Sequence, residues 1–371
     1  MTPDLTASIF HPSTAVEIQE IVRHNRRISV RGGGSKPALS TPPADGLLLD
    51  LSGLAGLVEY EPAEFTFTAQ AGTPIAEIQA VLAQEGQYLP FDPPLAAAGA
   101  TLGGVIAAGT SGAGRVRYGG VRDFLIGTRF VDGRGELLRG GGKVVKNAAG
   151  FDYPKLFVGS LGRLGILTEV TFKVFPEPPA YATLAIDCAD LPAALGHITS
   201  LNRSKFDING LDFAPSGAGW RVWVRLGGFA AALDERMIAL SQQVGGGEIL
   251  SGETDASFWQ DGNRFDWLTA DAALVKVPVT PGRVAGLEKA LPSTAARRYS
   301  VGGNLLWLGW EKPVAELDSL LAGHGLSGLL LRGTAGQPWL GKRPGNAFLV
   351  RVKTALDPDG KFGPIRPAPV E

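Results

Sequence analysis

Apolar positions along this chain follow two rhythms, one helical and one alternating. In STAVEIQEIVRH, Val16, Ile18, Ile21 and Val22 recur on a helical period, and Thr14 with Glu17 makes a capping-box pattern, so the spacing predicts a helix. ISVR (28–31) then reads as a short strand that runs into a glycine loop. LLLDLSGL and GLVEYEPAEFTFTAQAG read as strands, the second alternating through Phe65 and Phe67. TPIAEIQAVLAQEGQ reads as a helix capped by Thr73, with Pro74 in its first turn and Gly86 past its end. DFLIGTRFVDGRGELLRGG predicts two strands joined at Asp132-Gly133, and ILTEVTFKVF predicts one more. The run FPEPPA breaks the pattern and marks a domain boundary near Pro178.

From Ala182 the rhythm changes. ATLAIDC, GWRVWVRLGG, DAALVKVPV, NLLWLGW and SGLLLRG read as strands. LPAALGHITSL, AALDERMIALSQQV, GRVAGLEKAL and PVAELDSLLAG lie between them and read as helices. Strands interleaved with helices in this way predict an α+β domain, its helices on one face of a largely antiparallel sheet. The tail LVRVKTALDPDGKFGPIRP is a helical run followed by a Pro/Gly-rich end.

A length of 371 residues suggests two or three domains at a prior of ~150 residues each. The formal charge of −1 gives no electrostatic case for nucleic acid. Cys188 is the only cysteine, which excludes an intrachain disulfide, a Cys-ligated zinc site and an iron–sulfur cluster. His11, His24, His197 and His324 are scattered, so no metal is expected. The N-terminus has no basic, apolar signal pattern and no 18-residue apolar run occurs, so a soluble, cytoplasmic protein is expected.

Glycine changes the picture. The chain has 51 glycines, about twice the usual ~7%. Six of the sixteen residues from Gly99 to Gly114 are Gly and four are Ala. Each Gly inside an element costs roughly 0.5–1 kcal/mol relative to Ala. Either backbones pack very closely here, or a ligand lies against the main chain. A second cluster, Arg31-Gly32-Gly33-Gly34-Ser35-Lys36, follows a strand. Consecutive Gly amides can turn inward as an anion-binding nest, Ser35 adds a hydroxyl, and Arg31 or Lys36 could offset phosphate charge. The alternative is a plain strand-to-loop turn. No P-loop pattern occurs, and the one G-x-G-x-x-G, Gly323 to Gly328, lies after a helix and before a strand, the reverse of the dinucleotide context. In the longer stretch, Gly103, Gly104, Gly109 and Gly112 leave room for a flat or extended ligand, and Thr101, Thr110 and Ser111 can donate hydrogen bonds.

Taken together, RGGGSK, ATLGGVIAAGTSGAGRVRYGGVRDFLIGTRFVDGRGE and VVKNAAGFDYPKLFVGSLGRLGILTEVTFKVFPEP resemble the FAD-binding fold of the vanillyl-alcohol-oxidase or p-cresol-methylhydroxylase (PCMH) type. Within that type they are most similar to the FAD-binding subunits of bacterial glycolate oxidase. The resemblance implies an α+β protein: a two-subdomain PCMH-type FAD-binding domain over 1–178, a smaller α+β cap domain over 179–340, and a segment 341–371 that returns to the FAD-binding domain. By position, Arg31, Gly32, Gly33, Gly34, Ser35 and Lys36 would hold the pyrophosphate. Asp92, Pro94, Gly99, Ala100, Thr101, Gly103, Gly104, Ala107, Gly109, Thr110, Ser111 and Gly112 would line the ADP and flavin path, with Tyr118 and Gly119 on the same strip. Gly165 and Ile166 would give backbone contacts near the adenine or ribose. The first loop carries no His, which implies non-covalent FAD.

The implied function is the FAD-binding subunit of a glycolate oxidase complex that oxidises glycolate to glyoxylate. Its implied partners are a larger flavin-containing catalytic subunit and an iron–sulfur subunit, and membrane contact would come through the complex. The alternatives are a self-sufficient 2-hydroxy-acid dehydrogenase of the D-lactate type and a non-catalytic flavin-binding scaffold. No catalytic residue is assigned. Relatives with the full activity carry an acidic residue before His-Gly, whereas Gly323 precedes His324-Gly325 here. Lys146, Asn147 and Asp152 could reach the flavin edge or lock a loop. Arg115, Arg117 and Arg122 could neutralise phosphate or substrate, or be solvated. Trp220, Trp223, Trp307 and Trp310 are expected in a sheet core or on a partner-facing surface.

Overall fold

The computed structural model describes residues 8–40, 46–142, 152–334, 337–343, 345 and 347–365. Lys146 and Asn147 lie outside the described residues. The chain divides into two units. One comprises Met1–Ser111, Gly120–Pro176 and Pro344–Glu371; the other comprises Gly112–Gly119 and Glu177–Arg343.

The first unit opens on the predicted helix, Ala15–His24, with Thr14 Oγ1 accepting from the Glu17 amide at 3.2 Å. Ile18 and Val22 are fully buried, but Val16 is 65% exposed. A helix four residues wide at its apolar stripe needs only one face in the core. The strands Ile9–Phe10, Leu47–Asp50 and Ile28–Arg31 form a parallel three-stranded sheet beside it. Leu47 to Leu49 are buried, as an apolar run requires of a central parallel strand, and Asp50 is buried with them, paired to Arg31. Phe362, near the C-terminus, fills the same core with Val131 and Ile166. The Asp357 carboxylate fixes that tail, accepting from the amides of Lys361 and Phe362 at 2.9 Å each.

A five-stranded antiparallel sheet completes this unit, in the order Leu57–Glu61, Thr66–Gln70, Ile166–Lys173, Leu125–Val131, Leu137–Gly141. The stretch read as one strand through Phe65 is two strands. Pro62–Glu64 form a 3-10 turn and Phe65 closes it with φ 53°. The alternation continues across the turn, so it could not reveal the break. The second helix, Ile75–Gln84, begins after Pro74, but Thr73 does not cap it. Its hydroxyl donates to Gln70 O at 2.7 Å and accepts from the Gly56 amide at 2.9 Å. Phe91 stacks on Phe172 and packs against Phe124, at 5.7 and 5.6 Å between centroids.

The second unit is one nine-stranded sheet. Its order is Glu248–Ser251, Ala180–Cys188, Gly219–Gly228, Ile208–Ser216, Arg297–Ser300, Leu305–Trp310, Ala273–Pro278, Ser327–Arg332, Trp339–Gly341, and the pairings are antiparallel. The predicted helices follow as Leu191–Asn202, Ala230–Val244, Pro281–Glu288 and Val314–Gly323. One buried ion pair and two side-chain hydrogen bonds pin the additional helix Gly252–Arg264 to the sheet region. Asp255 takes Arg225 at 2.6 Å and the Thr183 hydroxyl, and Trp259 Nε1 donates to that hydroxyl at 2.8 Å. Trp307 and Trp310 are buried in the sheet, while Trp220 and Trp223 are half-buried.

Candidate functional site

The two glycine clusters meet within the first unit. Strand Ile28–Arg31 delivers the 32–36 loop against the turn that enters helix Leu102–Ala108. A Cβ on Gly32 would lie 2.2 Å from Thr101 Oγ1, and one on Gly33 would lie 1.8 Å from Gly99 O. A Cβ on Gly103 would lie 2.9 Å from Ala71 O. At Gly33 and Gly103 another main chain leaves no room for a side chain, and at Gly32 the Thr101 side chain does. Gly34 and Gly104 differ. Gly34 has φ +73° with nothing within 4 Å of an added Cβ, so its backbone conformation demands glycine. An added Cβ at Gly104 would meet only Thr101 Oγ1 at 3.1 Å and Lys36 Nζ at 4.0 Å. Both questions posed by the glycine count therefore receive answers, at different residues.

Between the clusters runs a cleft enclosing about 740 Å³ of non-protein space, part of it open to solvent. Of the predicted cofactor residues, Gly32, Gly33, Gly34, Ser35, Lys36, Thr101, Gly103, Gly104, Ala107, Gly165 and Ile166 line it. The loop Ser160-Leu161-Gly162, which is not among the residues expected from the sequence, forms another wall. Its signal was present in GSLGRLG. The Gly159 and Leu161 amides donate to the carbonyls of Ile106 and Ala107 at 2.9 and 3.0 Å, satisfying the open end of helix Leu102–Ala108. Leu161 holds φ 53° to do so, a strained conformation for a branched side chain.

Lys36 dominates the electrostatics. It is 6% exposed, lines the cleft, and its Nζ donates to Ser35 Oγ at 3.1 Å. No carboxylate among the described residues pairs with it. Burial alone pushes its ammonium down to about 8. Among the described residues it is the only titratable side chain lining the cleft. A buried cation facing a glycine-walled cleft is a chemical complement to an anion lying along the main chain, and FAD's pyrophosphate fits this donor set.

The other predicted residues lie elsewhere. Arg31 turns from the cleft to Asp50, its Nη2 2.5 Å and Nε 3.0 Å from one carboxylate oxygen. Asp92 sits in a turn with φ 50°, followed by buried Pro94. Gly99 and Ala100 precede the cleft-lining Thr101, and Ala100 O accepts from the Ile75 amide. Gly109 closes the helix at φ 59°. Thr110 is fully buried with no partner for its hydroxyl among the described residues, and Ser111 Oγ accepts from the Val121 amide at 3.0 Å. Gly112, Tyr118 and Gly119 belong to the second unit, where the Tyr118 hydroxyl accepts from Asn209 at 3.2 Å. Arg117 pairs with Asp207, Arg122 donates to Lys155 O, and Arg115 is exposed. Asp152 immediately precedes the helix Tyr153–Phe157 and makes no side-chain cap.

Comparison with known proteins places this geometry. Residues 6–141 match the family model described as FAD binding domain. The chain is 34% identical over 359 residues to glycolate oxidase subunit GlcE of Escherichia coli (strain K12), covering 94% of this chain and 95% of that relative. The chain belongs to the glycolate oxidase subunit GlcE family. GlcE-family membership accounts for the α+β architecture and for FAD as cofactor. The chain is also 31% identical over 211 residues to glycolate oxidase subunit GlcD of Bacillus subtilis (strain 168), covering 56% of this chain and 45% of that relative. It is 29% identical over 212 residues to a mitochondrial cytochrome-type D-lactate dehydrogenase of Saccharomyces cerevisiae, over 55% of this chain and 36% of the relative. A solved alkyldihydroxyacetonephosphate synthase shares the fold, with TM-score 0.69 and 18% identity over 96% of this chain and 76% of its own. No helix among the described residues is long and apolar enough to cross a membrane.

Proposed function

We propose that this chain is the FAD-holding subunit of a cytoplasmic glycolate-oxidising complex, with the cofactor's pyrophosphate carried by the Gly32–Lys36 loop. The observation that carries the reading is Lys36, a buried cation without a carboxylate partner among the described residues, opening on a cleft whose walls are glycine. In this reading Lys36 holds its proton and meets the diphosphate charge, while Ser35 Oγ orients the ammonium. Gly34 and Gly104 leave the main chain bare where the ligand approaches, and Thr101 Oγ1 fixes the turn by accepting from the Gly104 amide at 3.3 Å. Ser160 to Gly162 close the far side. Bound there, FAD would supply a two-electron acceptor for oxidation of a 2-hydroxy acid to a 2-keto acid.

The chemistry of the reaction asks for more than this cleft's described lining supplies. Abstraction of a hydroxyl proton needs a positioned base, and a substrate carboxylate needs a cation. Among the described residues Lys36 is the titratable group lining the cleft, and in this reading it is committed to the diphosphate. The base and carboxylate holder would come from partners: a larger flavin-containing subunit and an iron–sulfur subunit. The relatives named GlcE and GlcD are both glycolate oxidase subunits, which supports a multi-subunit assembly.

The test is an anaerobic reduction titration of the FAD-loaded chain with glycolate, alone and with the partner subunits. The expected protein is yellow, releases FAD on denaturation, and is bleached by glycolate only when partners are present. Full turnover by the isolated chain refutes the subunit reading. A colourless chain that takes up no FAD refutes the cofactor assignment itself.

A further inference from the structure

A second cleft, enclosing about 1150 Å³ of non-protein space that includes open solvent, opens within the nine-stranded unit and shares no residue with the first. Trp223 and Phe258 form its apolar walls, with Trp267 beside them, and Arg298 lies at its base. Arg298 is 8% exposed. Its Nε donates to Asp212 Oδ2 at 2.7 Å. The guanidinium lies over the rings of Phe258, Trp259 and Trp223, 4.6, 5.1 and 5.6 Å from their centroids. Gly262 makes that position available: a Cβ there would stand 2.6 Å from Nη1.

This arrangement leaves the donor fork unused. Neither Nη1 nor Nη2 of Arg298 has a hydrogen-bond partner among the described residues. The buried Trp267 Nε1 and Asp212 Oδ1 also lack partners there. Buried polar groups are ordinarily paired; two that are not, beside a guanidinium fork that lines the cleft unused, give a ligand donors and an acceptor to meet. Charge then limits what it is. Asp212 balances Arg298, and Glu288 takes Arg297 at 2.7 Å. Asp261 and Asp266 stand exposed on the lining. The cleft therefore offers planar N–H donors and aromatic surface with no surplus positive charge, which disfavours an anion.

We propose that this cleft binds an uncharged, flat ring compound bearing carbonyl acceptors, held by the Arg298 fork and stacked on the aromatic walls. Nucleobases and quinone head groups share that chemistry. The geometry rests on the second unit alone and does not depend on the FAD reading.

The test uses the full, FAD-loaded chain and ligand-observed saturation-transfer NMR followed by calorimetric titration. The probes are uracil, menadione and, as the charged counterpart, benzoate. Saturable binding of uracil or of menadione is expected, and which one binds identifies the source. Ala214→Phe fills lining space, and Gly262→Ala displaces the guanidinium; each should weaken binding at least tenfold while FAD content stays constant. Circular dichroism and thermal unfolding verify that both variants fold. Absence of saturable binding by both uncharged probes overturns the proposal. So does benzoate binding more tightly than either, or Ala214→Phe binding as well as the parent.

Discussion

Replacing Lys36 by Met should move stability and FAD affinity in opposite directions. Burial holds the Lys36 ammonium at about 8, against an ordinary value of 10.5. That difference corresponds to about 3 kcal/mol disfavouring the charged form in the ligand-free fold. The sign follows from proton binding. Below pH 8 folded and unfolded chains both hold the proton, and the fold bears the whole cost. Between pH 8 and 10.5 the unfolded chain binds the proton more than the folded one does, so this group's contribution to stability rises with pH. At neutral pH, Lys36→Met removes the buried charge and should stabilise the FAD-free protein by up to about 3 kcal/mol, less the imperfect packing of the new side chain. FAD reverses the balance, because a diphosphate favours the charged lysine. Parent affinity should stay flat below about pH 8 and fall by up to about tenfold per pH unit above it, while the Met variant binds more weakly and loses that pH dependence. Thermal unfolding with and without FAD, together with fluorescence titration of FAD across this pH range, reads both effects. If Lys36→Met retains FAD as tightly as the parent, with the same pH profile, the diphosphate does not face Lys36.

The two kinds of glycine should separate in the same assays. Gly33→Ala puts a methyl 1.8 Å from Gly99 O and should lower both melting temperature and flavin content, whereas Gly104→Val should cut the flavin-to-protein absorbance ratio with a much smaller loss of stability. In the second unit, Asp255→Asn leaves Arg225 without its buried counter-charge and should cost about 3–5 kcal/mol in chemical denaturation, with FAD content unaffected. Phe91→Ala removes a fully buried ring from the Phe124–Phe91–Phe172 stack and should cost about 3–5 kcal/mol; a loss below about 1 kcal/mol would show that the neighbouring rings collapse into the space.

Elements with a clear rhythm were legible from their residues. Helix Ala15–His24 and strand Ile166–Lys173 lie where their spacing put them, because each buries one continuous face of its own residues. Helix Gly252–Arg264 was not legible. It is polar along most of its length and is held by Asp255 and Trp259, one turn apart, whose partners Arg225 and Thr183 are dozens of residues away. Strand Arg297–Ser300 was missed for a related reason. Its arginines are buried against Glu288 and Asp212, partners that local spacing does not reveal.

Within the candidate site, local sequence determined backbone freedom: which residues could bend at Gly34, approach another main chain at Gly33, or leave space at Gly104. It also determined that a lysine and a serine would end the first loop. Tertiary structure decided which cation was available. Arg31 and Lys36 are equivalent as charges in RGGGSK, but the parallel pairing of Arg31 with Asp50 neutralises one, and burial beside the second glycine cluster leaves the other facing the cleft. A local pattern specifies what the chain can do with its own atoms; the pairing of charges depends on which distant strand arrives alongside, and that is set by the packing of the whole unit.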